Sequence, residues 1–342
     1  MQNLYDLRFD DLQAYIRELG QPTYRAEQIW QGAYQQAWDD FRDFSTLPKS
    51  LRKKLAKKFY IGSLKKEKEL LSQDGLTKKT LFRLEDGTAI ETVLMAYDQR
   101  QTVCISSQVG CAMGCSFCAT GNMGFTRNLT RGEIVEQVLL TAALLKENGQ
   151  SLTNVVLMGM GEPFHNYQNV LDAIRILHEP RGFNFGMRRF TISTVGLVPG
   201  IKRFTAENTQ INLALSLHAA DDCLRSKMIP INSTYPIAEV LAACDEYLVK
   251  TKRRITIEWA LIAGVNDSSY QAENLAQLLQ GKLYHVNLIQ LNPVKHYPGL
   301  PATDDNAAAF QEVLHVAGLP CTIRLRRGIE IQAGCGQLAN QT

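Results

Sequence analysis

Histidine is scarce and late in this chain of 342 residues: six occur, and the first is His165. Zinc sites normally take a fourth Cys or His at matched spacing, and the first third of the chain offers no His for one. No apolar run approaches the roughly 18 residues that a membrane span needs. The opening stretch, MQNLYDLRFDDLQAYIRELG, is acidic and amphipathic and lacks the basic-then-apolar layout of a secretory leader. Neither charge sign dominates, since 37 Lys and Arg face 34 Asp and Glu. Eight cysteines without a leader argue for reduced thiols, metal ligation or catalysis rather than a disulfide scaffold. The expected protein is globular and cytoplasmic, without membrane association, and long enough for one large α/β domain with an accessory domain.

One segment is unusual. Eight residues from Cys111, Cys-Ala-Met-Gly-Cys-Ser-Phe-Cys, set Cys111, Cys115 and Cys118 in a C-x₃-C-x₂-C run. Three thiolates in one loop can grip a metal centre without help from distant sequence. Cubane iron–sulfur clusters usually take four cysteines. Three leave one iron open, and an open position is what catalytic metal sites keep and structural sites close. Structural zinc, or simple burial of small thiols, is the alternative at this point, although no His lies within thirty residues of the run.

The net charge of +3 conceals an asymmetry. From Lys49 to Lys79 there are eleven Lys and Arg against three Asp and Glu, 11 − 3 = +8, so the remainder carries 3 − 8 = −5. Basic density of this kind suits a nucleic-acid surface or a solvated helix face. Residues 1–75 read as a helical module: Leu12, Ile16 and Leu19 share one face, Thr23 is placed to cap a second helix, and Leu51 and Leu55 underlie a lysine-rich third. Between 76 and 100 the period changes to two, giving a β-hairpin linker around Glu85-Asp86-Gly87. From 101 to 342 Val/Ile-rich strands alternate with amphipathic helices, which implies a parallel sheet covered by helices and closed as a partial barrel of six βα units.

In such folds, sites lie at the carboxyl ends of the strands. Cys111–Cys118 follows the first predicted strand and Gly159-Met160-Gly161-Glu162-Pro163 the second. Ser193-Thr194 closes the third, Ser216-Leu217-His218-Ala219 the fourth, and Asn292-Pro293 the sixth. Each alone reads as a turn; their shared rim makes a candidate site. Two further thiols flank it. Cys104 lies on the strand entering the cysteine loop, and Cys335 sits in the glycine-flanked Ala333-Gly334-Cys335-Gly336-Gln337. Glu91 shares a strand face with Val93 and Met95, as an inward carboxylate would. Cys244 falls on a helical face with Val240, Leu241 and Leu248 and reads as core.

The cysteine spacing, with Phe117 before the last cysteine, resembles the radical S-adenosylmethionine (SAM) superfamily. In that superfamily the open iron chelates the amino and carboxylate groups of SAM and splits it to a 5′-deoxyadenosyl radical. The words CISSQVGC-AMGC-SFC, GFTRNL, VVLMGMGEP, ISTVG, LALSLHA, NP and AGCGQL resemble, from Tyr24 to Leu338, the dual-specificity ribosomal and transfer RNA adenine-carbon-2 methyltransferase family, RlmN. The resemblance implies a partial (βα)6 TIM-like barrel of the radical SAM type with a small N-terminal helical, RNA-binding domain. It implies a 4Fe–4S cluster on Cys111, Cys115 and Cys118, and two SAM molecules per turnover. Gly161 and Glu162 would hold the methionine end of SAM, with Ser193, Ser216, Leu217, His218 and Asn292 lining the rest.

Carbon-2 of adenine lies between two ring nitrogens and is too electron-poor to attack a sulfonium methyl, whereas a thiolate can. The resemblance implies that Cys335 takes the methyl, that the derived carbon radical joins carbon-2, that Glu91 accepts the displaced proton, and that Cys104 releases the product through a transient disulfide. The implied substrates are 23S ribosomal RNA and, next to the anticodon, tRNA. An electron donor such as a flavodoxin or ferredoxin and a monomeric state are expected. The related carbon-8 methyltransferase family, Cfr, shares most of these words, but GFTRNL and the N-terminal module favour carbon-2. A metal-stapled RNA-binding protein without catalysis is the reading from another class.

Overall fold

Three short helices open the chain, whose computed structural model describes residues 1–339. After β1 (Gln2–Asn3), α1 (Phe9–Glu18) buries Phe9, Leu12 and Ile16. Then α2 (Tyr24–Tyr34) buries Ile29, Trp30 and Ala33, and α3 (Lys49–Lys58) buries Leu51 and Leu55. This is the spacing of one buried helical stripe in each case. Thr23 precedes α2 but makes no side-chain cap bond. The outer face of α3 leaves Lys53, Lys54, Lys57 and Lys58 exposed, with the last two beside the negative end of the helix. β2 (Phe59–Tyr60) pairs in parallel with β1 and closes the module.

The sequence predicts a helical module to residue 75 and a hairpin linker from 76 to 100; the hairpin is present about its Glu85-Asp86-Gly87 turn, but it belongs to the main sheet, and the helical module ends before residue 65. Lys65–Leu71 is a strand, β3, followed by β4 (Thr77–Arg83), β5 (Ala89–Tyr97) and β6 (Arg100–Cys104). These four are antiparallel and belong to the main sheet, with β4 and β5 between β3 and β6 rather than bridging two bodies. β3 escapes period-two analysis because it lies at the sheet's edge with six of its seven residues exposed, so neither face needs to be apolar.

Beyond β6 come β7 (Gln108–Gly110), the cysteine loop, α4 (Ala119–Asn122), β8 (Phe125–Asn128) and α5 (Arg131–Glu147). Thr130 caps α5 by accepting from Glu133 N at 3.2 Å, while the Glu133 carboxylate accepts from Thr130 N. The repeating pattern then runs β9 (Asn154–Leu157), α6 (Tyr167–His178), β10 (Phe190–Thr194), α7 (Val198–Glu207) and β11 (Asn212–Ser216). It continues through α8 (Asp222–Met228), α9 (Ile237–Thr251), β12 (Ile255–Leu261), α10 (Ser269–Leu279), β13 (Tyr284–Gln290), α11 (Asp304–Val316) and β14 (Cys321–Ile323). The order across the sheet is β14-β13-β12-β11-β10-β9-β6-β5-β4-β3, and the pairs from β6 to β14 are all parallel. Six βα units plus a closing strand are the predicted partial barrel. Cys244 is fully buried on α9, as its helical face requires.

Polar contacts bolt the N-terminal module to the core. Asp6 accepts from Gly132 N at 2.8 Å, and the Arg8 guanidinium meets Asp172 at 2.9 Å. The buried Glu136 carboxylate accepts from Ser63 N at 2.7 Å and from Leu64 N at 3.0 Å. Among the described residues no helix is long and apolar enough to cross a membrane.

Candidate active site at the strand ends

Parallel strands end together, so the residues just past β6, β9, β10, β11 and β13 surround one opening. A cavity of about 210 Å³ lies there, lined by Cys104, Cys115, Cys118, Gly161, Glu162, Ser193, Ser216, His218, Asn292 and Cys335. Ten of the thirteen expected site residues therefore share one space.

The cysteine loop is held from both sides. Cys111 N donates to Gly124 O at 2.9 Å, and Cys118 N to Cys115 O at 3.1 Å. Burial pushes the Cys111 thiol up to about 12 and that of Cys115 well above its usual value, and neighbouring sulfurs add to both shifts. Burial also raises Cys118. Three crowded thiols resist ionisation unless a cation offsets their charge, and a coordinating metal does so outright. Backbone N–H groups reach Cys111 from Met113 and Cys118 from Thr120 and Gly121. Hydrogen bonds to the sulfurs are a lever on iron–sulfur potentials. Among the described residues no three His, Cys, Asp or Glu side chains converge on a single-ion site. The three thiols of the loop suit a 4Fe–4S cluster, whose usual ligands are cysteine thiolates.

Glu162 is buried beside this loop. Its carboxylate accepts from Val195 N at 3.0 Å and Phe164 N at 3.1 Å, and burial pushes it up to about 7 against those bonds. An acid so placed welcomes a cationic partner such as an ammonium. Gly161 has φ +101°, and a Cβ there would lie 2.5 Å from Gln108 Cβ, so only glycine permits the approach. Gln108 in turn accepts from Glu162 N at 2.8 Å.

On adjacent strands the Ser193 and Ser216 hydroxyls are 3.3 Å apart. His218 has φ 60° and accepts at Nδ1 from Ala260 N at 2.8 Å, with its ring edge-on to Phe117 at 4.9 Å. Burial first, then Arg225, depresses it to about 3, so it is a neutral wall of the cavity. Leu217 departs from expectation: its side chain turns into the hydrophobic core, while its carbonyl accepts from Arg225 Nε at 3.0 Å. Strand alternation is the reason, since Ser216 faces the cavity and the next residue must face away.

Cys104 and Cys335 line the same cavity. Burial pushes Cys104 up to about 12, with the neighbouring Cys335 sulfur adding to the shift. Cys335 is exposed because it faces the open cavity, yet the atoms around it push its thiol up to about 11, raised further by Glu258 and lowered by Arg324. Asn292 Nδ2 donates to Cys335 O at 3.0 Å, and its buried Oδ1 has no hydrogen-bond partner among the described residues. A Cβ on Gly334 would lie 2.6 Å from the Asn292 side chain, so glycine lets the C-terminal segment lie this close. Gly336 O and Leu338 O accept from Ala119 N at 2.7 Å and Thr120 Oγ1 at 2.5 Å. The Cys335 segment is thus stitched to the cysteine loop.

Glu91 extends the row of Val93, Met95 and Tyr97 that lines the cavity, but it lies under the C-terminal segment. The sequence suggests an inward carboxylate, and the structure buries it paired with Lys79 at 3.0 Å. Cys111, the remaining expected residue, is half-buried in the cysteine loop without lining the cavity itself. Sequence reasoning missed Gln108, and also Glu258 and Arg324, which line the cavity 3.6 Å from each other. A charged residue within the apolar strand ITIEWAL is the signal that could have found Glu258.

The Radical SAM superfamily model matches residues 105–275, and the ribosomal RNA large subunit methyltransferase N-terminal domain matches residues 2–61. The dual-specificity RNA methyltransferase RlmN 1 of Myxococcus xanthus is 47% identical over 98% of this chain and 94% of its own length. A probable dual-specificity RNA methyltransferase RlmN of Chloroflexus aurantiacus is 45% identical over 99% of this chain and 93% of its own. A crystal structure of a radical SAM methyltransferase from Sphaerobacter thermophilus superposes with a TM-score of 0.96, at 51% identity and 99% coverage of both chains. With its cysteine loop, its strand-end cavity and these relatives, the chain belongs to the RlmN family of radical SAM RNA methyltransferases, enzymes that use a 4Fe–4S cluster and SAM.

Proposed function

We propose that the enzyme methylates carbon-2 of adenosine in 23S ribosomal RNA and in tRNA next to the anticodon. The observation that carries this reading is the meeting of Cys104, Cys335 and the cysteine loop in one cavity. Two thiols besides the three ligands are what a methyl-carrying mechanism needs and a simple metal staple does not. Cys111, Cys115 and Cys118 would hold the 4Fe–4S cluster, which when bound would supply the electron for reductive cleavage of SAM. Glu162 holds the SAM ammonium, and Ser193, Ser216, His218 and Asn292 shape the walls around its remaining atoms. Leu217 contributes only backbone.

Cys335 carries the methyl group, as the more accessible of the two thiols. Glu91 accepts the carbon-2 proton once the segment above it moves. The Cys104 thiolate attacks the Cys335 sulfur, and the S–S bond forms as the bond from that sulfur to the product carbon breaks. The electron pair left on that carbon takes a proton to give the methyl group, and a dithiol reductant returns both cysteines to thiols. Two SAM molecules are consumed per turnover, one for the methyl and one for the radical. The carbon-2 assignment over carbon-8 draws on GFTRNL and on the N-terminal module at residues 2–61. Mass spectrometry of nucleosides from RNA treated with enzyme, SAM and a reductant tests it. Carbon-2 methyladenosine is expected; carbon-8 methyladenosine or no modified adenosine overturns it.

The lysine face of α3 grips phosphates and leaves base selection to the cavity. Reversing charge at Lys53, Lys54, Lys57 and Lys58 together is expected to weaken RNA binding by roughly tenfold or more near physiological salt and to flatten its salt dependence. SAM cleavage should be untouched. Filter binding across a salt series checks this, and unchanged affinity and slope would remove α3 from the interface. Free thiols throughout suit the reducing cytoplasm, with a flavodoxin or ferredoxin as electron donor and a monomer as the working unit.

A further inference from the structure

Lys79 is a buried lysine that no step above employs, its side chain 6% exposed and that of its partner Glu91 1%. Buried ammonium groups persist only when paired and hydrogen-bonded. Lys79 Nζ lies 3.0 Å from Glu91 Oε1 and also donates to Gln332 O at 3.2 Å. The other Glu91 oxygen, Oε2, accepts from Ala339 N at 3.0 Å. Gln332 and Ala339 bracket Cys335. One ion pair therefore clasps both ends of the segment that carries the reactive thiol. Farther out, Glu330 accepts from Gln73 N at 3.0 Å and Arg327 approaches Asp74 at 3.9 Å, both on the turn between β3 and β4.

We propose that Lys79 is a positioning residue whose ion pair with Glu91 docks the Cys335 segment, so that the segment, once released for Glu91 to meet the base, re-docks only when Glu91 is charged again. The proposal rests on the roles given above to Glu91 and Cys335. To meet the base, Glu91 must leave the clasp. When it takes the carbon-2 proton, the C–H electron pair stays with the substrate and the carboxylate becomes a neutral acid. The ammonium then has no charged partner, and Ala339 N faces a weaker acceptor, because hydrogen bonds to ions are the stronger kind. The clasp re-forms only after Glu91 has lost that proton, which resets the Cys335 segment once per turnover.

Hydrogen exchange of the full-length protein, without RNA or SAM, tests the clasp. Glu91→Gln imitates the neutral acid without changing shape, and Lys79→Met removes the ammonium. Each is expected to speed exchange of amides in residues 328–339 by about tenfold or more, while α9 stays protected. The double variant should exchange no faster than either single one, because both break the same pair. Lys79→Arg should restore protection. Unchanged exchange in Glu91→Gln, or two single effects that multiply in the double variant, would overturn the proposal. If Lys79→Met fails to fold, the isosteric Glu91→Gln decides alone. The carbon-2 assay and this one read different quantities, so failure of either is recognisable by itself.

Discussion

Cys104→Ala is expected to leave the enzyme covalently joined to its RNA. In the proposed sequence Cys104 acts last, after the Cys335 methylene group has bonded to carbon-2. Without its thiol nothing releases the adduct. Cys335→Ala should stop earlier, with no methyl group on either protein or RNA. Product formation should fall to background in both variants, but a denaturing gel with labelled RNA separates them. A slow-migrating band is expected for Cys104→Ala and none for Cys335→Ala. The geometry is suited to this, since the two sulfurs line one cavity and the Cys335 sulfur adds to the upward shift of Cys104. Closing a bond between them requires their Cα atoms to come within about 7 Å. Turnover of Cys104→Ala at the natural rate, without an adduct, would remove Cys104 from the mechanism.

Loss of any one thiol of the cysteine loop should be as severe. Cys111→Ala, Cys115→Ala or Cys118→Ala is expected to strip the protein of bound iron and sulfide and to abolish formation of 5′-deoxyadenosine. The fall in cluster affinity should exceed the roughly 10- to 100-fold that loss of an outer-shell partner brings. Cys115 is the buried member of the trio and offers the clearest case, because its removal also leaves a gap in the cluster it shares with Phe117 and Met228. Iron analysis and optical spectra after anaerobic reconstitution check the result. A fully loaded and active triple variant would contradict the ligand assignment.

The barrel is legible in the sequence because its signals are local. Strands such as NVVL and NLALS are apolar on both faces, as parallel strands between helices must be, and a helix such as α7 carries one buried stripe at Val198, Ile201, Phe204 and Thr205. The rim is legible for the same reason, since strand ends locate their following motifs without any knowledge of packing. What escapes is information that exists only between distant segments. β3 looks like part of a basic helical tract because an edge strand can be charged on both faces. Leu217 reads as one word with Ser216 and His218, although alternation turns its side chain away. Glu91 is readable as inward-facing, but its partner Lys79 stands on a different strand and its cover comes from the far end of the chain. No spacing rule connects those three.

The charged edge strand has a consequence for how the protein behaves in concentrated solution. An open sheet ends in rows of unpaired N–H and C=O groups, which template the addition of foreign strands. Here one border is β3, which carries Lys65, Lys66, Glu67, Lys68 and Glu69 and shifts register between Lys66 and Lys68. The opposite border, β14, spans only the three residues Cys321–Ile323. A strand approaching β3 would have to bury ammonium groups and follow an irregular ladder, and one approaching β14 would find little to pair with. Both borders thus discourage fibril-like stacking, even though the strands between them are among the most apolar in the chain.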